Sequence, residues 1–149
     1  MKTAILFTIL TLALAASCTQ PRSVGASLEQ VDIVVNKSNS LNSLSREEAR
    51  RIFMGEKSSW PGGKHITVLM LAPGHVERAL ILREVYEMNE SDYTKYFLQE
   101  VFTGHIQFPP KDITSAQQMK AHLAANPGAI GYLSQPDVDG SLKVLLVLQ

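Results

Sequence analysis

The sequence contains a single cysteine, Cys18, in 149 residues, so no disulfide can form within the chain and a packed core must stabilise it. It also has no excess of either charge, because 14 lysine and arginine residues balance 14 aspartate and glutamate residues. A near-neutral chain lacks the basic surface that nucleic acid requires and the polybasic cluster that anionic membrane surfaces attract. We therefore expect no nucleic-acid partner.

The N-terminus has the pattern of an export signal. Lys2 supplies one positive charge, and residues 4–16 follow without any charge and with many large apolar side chains. This apolar stretch is shorter than the ~20 residues that span a bilayer, so it favours a removed signal over a membrane-spanning anchor. Without Lys2 the remaining chain carries 13 basic and 14 acidic residues, and its neutrality is unchanged.

Cys18 stands where small residues meet a polar stretch, an arrangement that resembles a bacterial lipobox. Ala15 occupies the position where such motifs more usually have leucine, and ordinary cleavage after Ala15 or Ser17 is the alternative. We expect residues 1–17 to be a signal, Cys18 to be lipidated, residues 18–30 to be a tether and residues 31–149 to form one domain. The protein would then lie in the periplasm, anchored to a membrane by its lipid. Without the lipid it would be a soluble periplasmic protein.

Catalytic motifs are missing from the sequence. The four histidines do not have the spacing of metal ligands. The chain contains neither a phosphate-cradling glycine loop nor a nucleophile elbow. If Cys18 is acylated as a lipobox cysteine, its thiol is not available as a nucleophile. We predict a protein that is not an enzyme and that has no cofactor and no metal site.

Strand and helix signals alternate along the domain. Apolar runs rich in β-branched residues predict strands at 31–35, 66–71, 129–133 and 142–148. Helical periodicity predicts four helices between these strands, and capping-box patterns at Ser45 and Ser115 mark the beginning of two of them. The order β-α-β-α-α-α-β-β implies an α/β fold with a mixed, mostly parallel sheet flanked by helices. We expect the last strand to be antiparallel and to follow a hairpin turn at Asp139-Gly140.

Several segments resemble one protein family. They are Ile33-Val34-Val35-Asn36-Lys37-Ser38-Asn39, Leu44-Ser45-Arg46-Glu47-Glu48, Arg51-Ile52-Phe53-Met54-Gly55 and Ala125-Asn126-Pro127-Gly128-Ala129-Ile130-Gly131-Tyr132. Together with the spacing from Gly55 to Trp60 to Gly63, they are similar to the second half of bacterial phosphate ABC transporter substrate-binding proteins. The resemblance implies a type II periplasmic-binding fold, in a short member that has only one of the two lobes.

The resemblance also indicates where a ligand would bind. In the two-lobed proteins the loop after the strand matching residues 66–71 carries an arginine and a Ser-Gly-Thr turn that bind phosphate. Here that loop reads Leu71-Ala72-Pro73-Gly74-His75-Val76, in which only the glycine has a counterpart. Free backbone N–H groups at this helix start would still favour an anion, so we predict ligand contacts from Gly74, His75 and Val76. An ordinary strand-to-helix turn is the alternative interpretation.

A second loop follows the first strand. Ligands of open α/β sheets bind beyond the carboxyl ends of the strands, so Ser38 and Asn39 are predicted to face the same crevice. The alternative is a polar loop that leads to a capped helix.

Two function classes follow from these observations. The first is a solute-binding protein for phosphate or another oxyanion, and the second is an envelope interaction module that keeps the fold without a ligand. A single lobe cannot close on a solute as two hinged lobes do, so a homodimer or an envelope protein partner would have to supply the second wall.

Overall fold

Five strands form one sheet in the computed structural model, which describes residues 30–149. The predicted signal, the lipidation site Cys18 and nearly all of the tether lie outside the described residues. The strands are β1 (Val31–Asn36), β2 (Thr67–Leu71), β3 (Lys111–Ile113), β4 (Ala129–Ser134) and β5 (Leu142–Leu148). The three-residue strand β3 is the one that the sequence did not predict.

The helices agree with the predicted number and order. They are α1 (Arg46–Phe53), α2 (Val76–Ile81), α3 (Glu90–Phe102) and α4 (Ala116–Ala125). A π-helical turn (Leu82–Tyr86) continues α2, and a single 3₁₀ turn (Gln135–Asp137) follows β4. The predicted capping box at Ser45 has both of its hydrogen bonds. At Ser115 only half of the box forms, because the Gln118 amide accepts from the Thr114 hydroxyl instead of the Ser115 backbone.

The strands lie in the order β3-β2-β4-β1-β5. β2 is parallel to both β3 and β4, whereas β1 is antiparallel to both β4 and β5. Four strands therefore run in one direction and β1 runs in the other, which confirms a mixed sheet. The predicted hairpin between β4 and β5 is wrong, because β1 lies between them.

The parallel strands define two edges of the sheet. We call the edge at which β2, β3 and β4 end the carboxyl edge, and the edge at which they begin the amino edge. The register Val31 to Ser134 places the beginning of β1 at the carboxyl edge and its end at the amino edge.

Helices cover both faces of the sheet. A Cβ atom on Gly131 of β4 would lie 2.6 Å from Met119 Sδ, so α4 packs directly on the backbone of that strand. Leu69 also lies against Gly131, and strand alternation turns the next residue, Met70, to the opposite face. There the Tyr86 hydroxyl lies 3.8 Å from Met70 Sδ and donates to the Phe53 carbonyl. The core is thus two layers separated by the sheet.

Trp60 fills the end of the core next to the amino edge. Only 5% of its surface is exposed, and its indole N–H donates to the Gly128 carbonyl at 3.0 Å. This side chain is a packed core residue with its polar atom satisfied.

No helix within residues 30–149 combines the length and apolar character needed to cross a bilayer.

Candidate functional site

The loop between β2 and α2 lies at the carboxyl edge. The backbone N–H of Ala72 donates to the Ile113 carbonyl at 2.8 Å, and His75 Nε2 lies 3.2 Å from the Thr114 carbonyl. These two contacts tie the loop to the end of β3. The helix start that the sequence predicted as a ligand site is therefore held in place by the neighbouring strand.

Gly74 has a backbone conformation that other residues rarely adopt. Its φ is +101°, and apart from its two chain neighbours no atom of residues 30–149 lies within 4 Å of the position that a Cβ would occupy. The backbone here is open to approach from outside. A change of Gly74 to valine would block this approach. Because φ is positive, any side chain at Gly74 strains the loop and a binding defect could not be separated from misfolding.

His75 and Val76 begin α2 with little support from side chains. His75 is the N-cap but makes no capping hydrogen bond, and Val76 is 66% exposed. Glu77 follows in the first turn, where its carboxylate accepts from the Ser134 hydroxyl at 2.8 Å. An acidic side chain favours the positive end of the helix dipole and competes there with any anion from outside.

Arg78 is the residue that the sequence analysis missed. It is 3% exposed, and its guanidinium lies at the end of β2, where Nη1 donates to the Leu71 carbonyl at 2.7 Å. The guanidinium carbon also lies 4.9 Å from the centre of the Tyr93 ring. An arginine is therefore present at the carboxyl edge, although it comes from the helix and not from the loop.

Carboxylates already accept hydrogen bonds from all three nitrogens of the Arg78 guanidinium. Nε and Nη2 of Arg78 donate to Glu90, with the shortest contact 2.6 Å long, and Nη1 donates to Asp112 at 3.0 Å. Burial by itself lowers the pKa of Arg78, but the hydrogen bonds and charge of Glu90 outweigh it, and the pKa is raised. Burial raises the pKa of Tyr93 to about 12, so its ring stays neutral beside the cation. The Arg78 guanidinium is therefore a permanent positive charge that is already paired with the Glu90 carboxylate of the same chain.

An open depression connects these residues. It is lined by Gly74, His75 and Val76, by Arg78 and by Glu90. The structure therefore brings the three residues predicted from the sequence together with the buried arginine. Glu90 is 45% exposed, so its carboxylate lies between the guanidinium and solvent.

Ser38 and Asn39 lie at the opposite edge of the sheet. β1 runs antiparallel to β4, so the loop that follows Asn36 is at the amino edge. The expectation that this loop shares a crevice with Gly74 is therefore wrong.

The loop uses its polar groups internally. The Ser38 hydroxyl donates to Asn36 Oδ1, and Asn39 Oδ1 accepts from the Leu41 backbone. Lys143 Nζ donates to the Asn39 carbonyl at 2.6 Å. This is the arrangement of a structural loop, which was the alternative interpretation of these residues.

Within residues 30–149, no group of three or more His, Cys, Asp or Glu side chains has an arrangement that could hold a metal ion.

Known structures share this fold, although no family model matches the chain. An ABC-type phosphate transport receptor from Vibrio cholerae is 22% identical with a TM-score of 0.58, over 77% of this chain and 44% of that one. A protein from Clostridium perfringens, assigned as a phosphate ABC transporter substrate-binding protein and solved with bound phosphate, is 18% identical with a TM-score of 0.62, over 77% and 43%. PstS from Borrelia burgdorferi is 16% identical with a TM-score of 0.57, and the match covers 77% of this chain and 46% of that one.

The matched region is less than half the length of each of these proteins. The five-stranded mixed sheet with helices on both faces has the fold of a single lobe of a periplasmic binding protein, which confirms the predicted fold class. Identities of 16–22% establish the fold alone, so the closer assignment that the sequence motifs suggested stays a prediction.

Proposed function

We propose that this chain is an exported, substrate-binding-protein-like lobe that binds phosphate or a similar oxyanion weakly at the carboxyl edge of its sheet. The observation that carries the proposal is Arg78, a buried guanidinium beside the open backbone of Gly74, His75 and Val76. Arginine is well suited to hold a phosphate because its planar fork matches two phosphate oxygens. Backbone N–H groups at a helix start supply further donors for the same anion. The similarity of the fold to phosphate-binding proteins supports this choice of ligand.

Glu90 explains why the binding should be weak. An incoming oxyanion has to displace the Glu90 carboxylate from Arg78, so it gains only the difference between two charge-assisted interactions. Glu77 and Asp112 add two further negative charges within the same edge. Displacement is feasible because Glu90 is 45% exposed and its carboxylate can move into solvent.

Calorimetry of the purified full chain against phosphate tests this proposal, with sulfate and chloride as comparisons. We expect a dissociation constant on the order of millimolar for phosphate, which corresponds to ~4 kcal/mol of binding free energy. Micromolar or tighter binding that survives the change of Arg78 to methionine would contradict both the affinity and the position of the site.

A second candidate function is an interaction module without a small-molecule ligand. The specific observation is an exposed apolar stripe on α3, made of Leu98, Val101 and Phe102, of which Phe102 is 91% exposed. Residues at this spacing share one helix face, and such a stripe can pair with itself in a second copy of the chain. Absence of any anion binding, together with a dimer in sedimentation that the change of Phe102 to lysine dissociates, would favour this function.

We also propose that the protein is held at the periplasmic side of a membrane by acylation of Cys18. The support is the run of small residues before the cysteine and the polar tether after it. Mass spectrometry of the protein extracted from membranes should show an acylated N-terminal Cys18. A soluble protein that begins at Ala16 or Cys18 without acyl chains would contradict this proposal.

A further inference from the structure

A basic cavity lies at the amino edge, the opposite end of the sheet from Arg78. We define it by four of its lining residues, Lys64, His65, Lys111 and His122. Its volume is about 430 Å³, within the range of small-molecule sites. The spacing of these histidines in the sequence excludes a metal site, and no local signal indicates that the fold brings them together with two lysines.

Three different parts of the fold supply these four residues. Lys64 and His65 precede β2, Lys111 begins β3 and His122 lies in the last turn of α4. Lys111 pairs in register with Leu69, a residue that faces α4, so the lysine is on the same face as His122. The basic residues converge because the tertiary structure joins them, although they are far apart in the sequence.

Among residues 30–149, no carboxylate lines this cavity. None of the four basic side chains forms an ion pair with any residue in the described range 30–149. The contrast with the carboxyl edge is direct, since Arg78 there has two carboxylate partners. The field inside the basic cavity therefore favours an anion.

Basic residues are common near helix C-termini, where they complement the free carbonyls. At the end of α4 three of those carbonyls already have side-chain partners. The Asn36 amide donates to the carbonyls of Leu123 and Ala124, and the Asn126 amide donates to the carbonyl of His122. The helix end therefore does not need the basic side chains of the cavity.

The wall of the cavity is rigid and shaped by close backbone packing. A Cβ atom on Gly128 would lie 2.5 Å from the His65 carbonyl, and the Lys64 side chain passes over the same glycine. The Gly128 carbonyl accepts from the backbone of Thr67 and from the indole of Trp60. This packing holds the segments that carry Lys64 and His65 in place before any ligand binds, which lowers the entropy cost of binding.

We propose that the basic cavity binds a phosphate-bearing anion. Two permanent lysine charges match such a group, and the His122 imidazole and the Asn126 amide supply further donors. The same chemistry exists in a free diphosphate and in the headgroup of an anionic phospholipid. The site is distinct from that of Arg78, because Lys111 and its neighbour Asp112, which contacts Arg78, point to opposite faces of the sheet.

The test uses two double variants of the full chain. K64Q/K111Q removes both lysine charges from the cavity, whereas K57Q/K95Q removes the same charge from outside it. The free-anion probe is pyrophosphate, measured by calorimetry and by shifts of the His65 and His122 ring resonances. The lipid probe is a phosphatidylglycerol vesicle compared with a phosphatidylcholine vesicle, to which any lipid anchor contributes equally in both variants.

We expect K64Q/K111Q to weaken binding of at least one probe by about tenfold or more, the effect of losing charge-assisted hydrogen bonds, while K57Q/K95Q stays near the unmodified protein. If K64Q/K111Q loses pyrophosphate binding, the ligand is a free anion. If it loses only phosphatidylglycerol binding, the ligand is a lipid headgroup. Equal effects of the two double variants, or no binding of either probe, would overturn the proposal. So would binding that is lost with Arg78→Met and kept in K64Q/K111Q, because it would belong to the carboxyl edge.

Discussion

Replacing Phe53 by alanine should lower the free energy of unfolding by about 3–5 kcal/mol, the range for a fully buried phenylalanine. Phe53 ends α1 and has no exposed surface. Its ring meets Tyr86 edge to face, with the centroids 5.8 Å apart. The Phe53 carbonyl also accepts the Tyr86 hydroxyl, so a shift of α1 into the cavity would disturb that buried hydrogen bond. The helix therefore has little freedom to collapse around the smaller side chain.

Phe102 supplies the control for this prediction, because it is also a phenylalanine at the end of a helix but is 91% exposed. Phe102→Ala should change stability by no more than about 0.5 kcal/mol, as expected for a surface position. Urea denaturation of both variants measures the difference. A loss below about 1 kcal/mol for Phe53→Ala would mean that the aromatic cluster around Tyr86 does not hold α1 on the sheet.

The sequence predicted the strands and helices of this fold better than it predicted which strands pair with each other. Val31–Asn36 is buried along its whole length, and a continuous apolar run indicates such a strand from the sequence alone. The direction of β1 and its position between β4 and β5 depend on contacts with residues about a hundred positions away. No local signal specifies these contacts, so the short connection at Asp139-Gly140 was wrongly interpreted as a hairpin.

The strand β3 was missed for a related reason. It has only three residues, two of which are the charged Lys111 and Asp112, and it follows two prolines. Pairing with β2 makes these residues a strand, whereas their propensities favour a loop. Both residues matter for function here, since Asp112 contacts Arg78 and Lys111 lines the basic cavity.

Arg78 could have been recognised from the sequence. Ile81, Leu82 and Val85 stand three, four and seven positions after it, and all three are buried. A helix places residues at this spacing on one face, so the pattern predicts that Arg78 points inward too. Its charge suggested an exposed position and obscured the periodicity. The sequence could not indicate Glu90 and Asp112 as its partners, because they come from other elements.

Replacing Glu90 by glutamine should strengthen phosphate binding, while replacing Arg78 by methionine should abolish it. The glutamine keeps a hydrogen-bond acceptor for Arg78 but removes the negative charge that competes with the ligand. We expect a gain of about tenfold in affinity, equivalent to ~1.4 kcal/mol, because charge-assisted hydrogen bonds are about twice as strong as neutral ones. Glu47→Gln is the matched control, since it makes the same change of charge in the first turn of α1.

The two variants should also differ in stability, which separates binding from folding. Arg78→Met leaves the Leu71 carbonyl without its side-chain donor and should cost about 1–3 kcal/mol. The cost should stay below the 3–5 kcal/mol typical of a broken buried ion pair, because Glu90 and Asp112 are 45% and 59% exposed and water can solvate both once the arginine is gone. Glu90→Gln should lose less, since Arg78 keeps Asp112 and the carbonyl as partners. If phosphate affinity were unchanged in Glu90→Gln and equal to that of Glu47→Gln, Glu90 would not compete for the guanidinium and the carboxyl edge would not be the site of oxyanion binding.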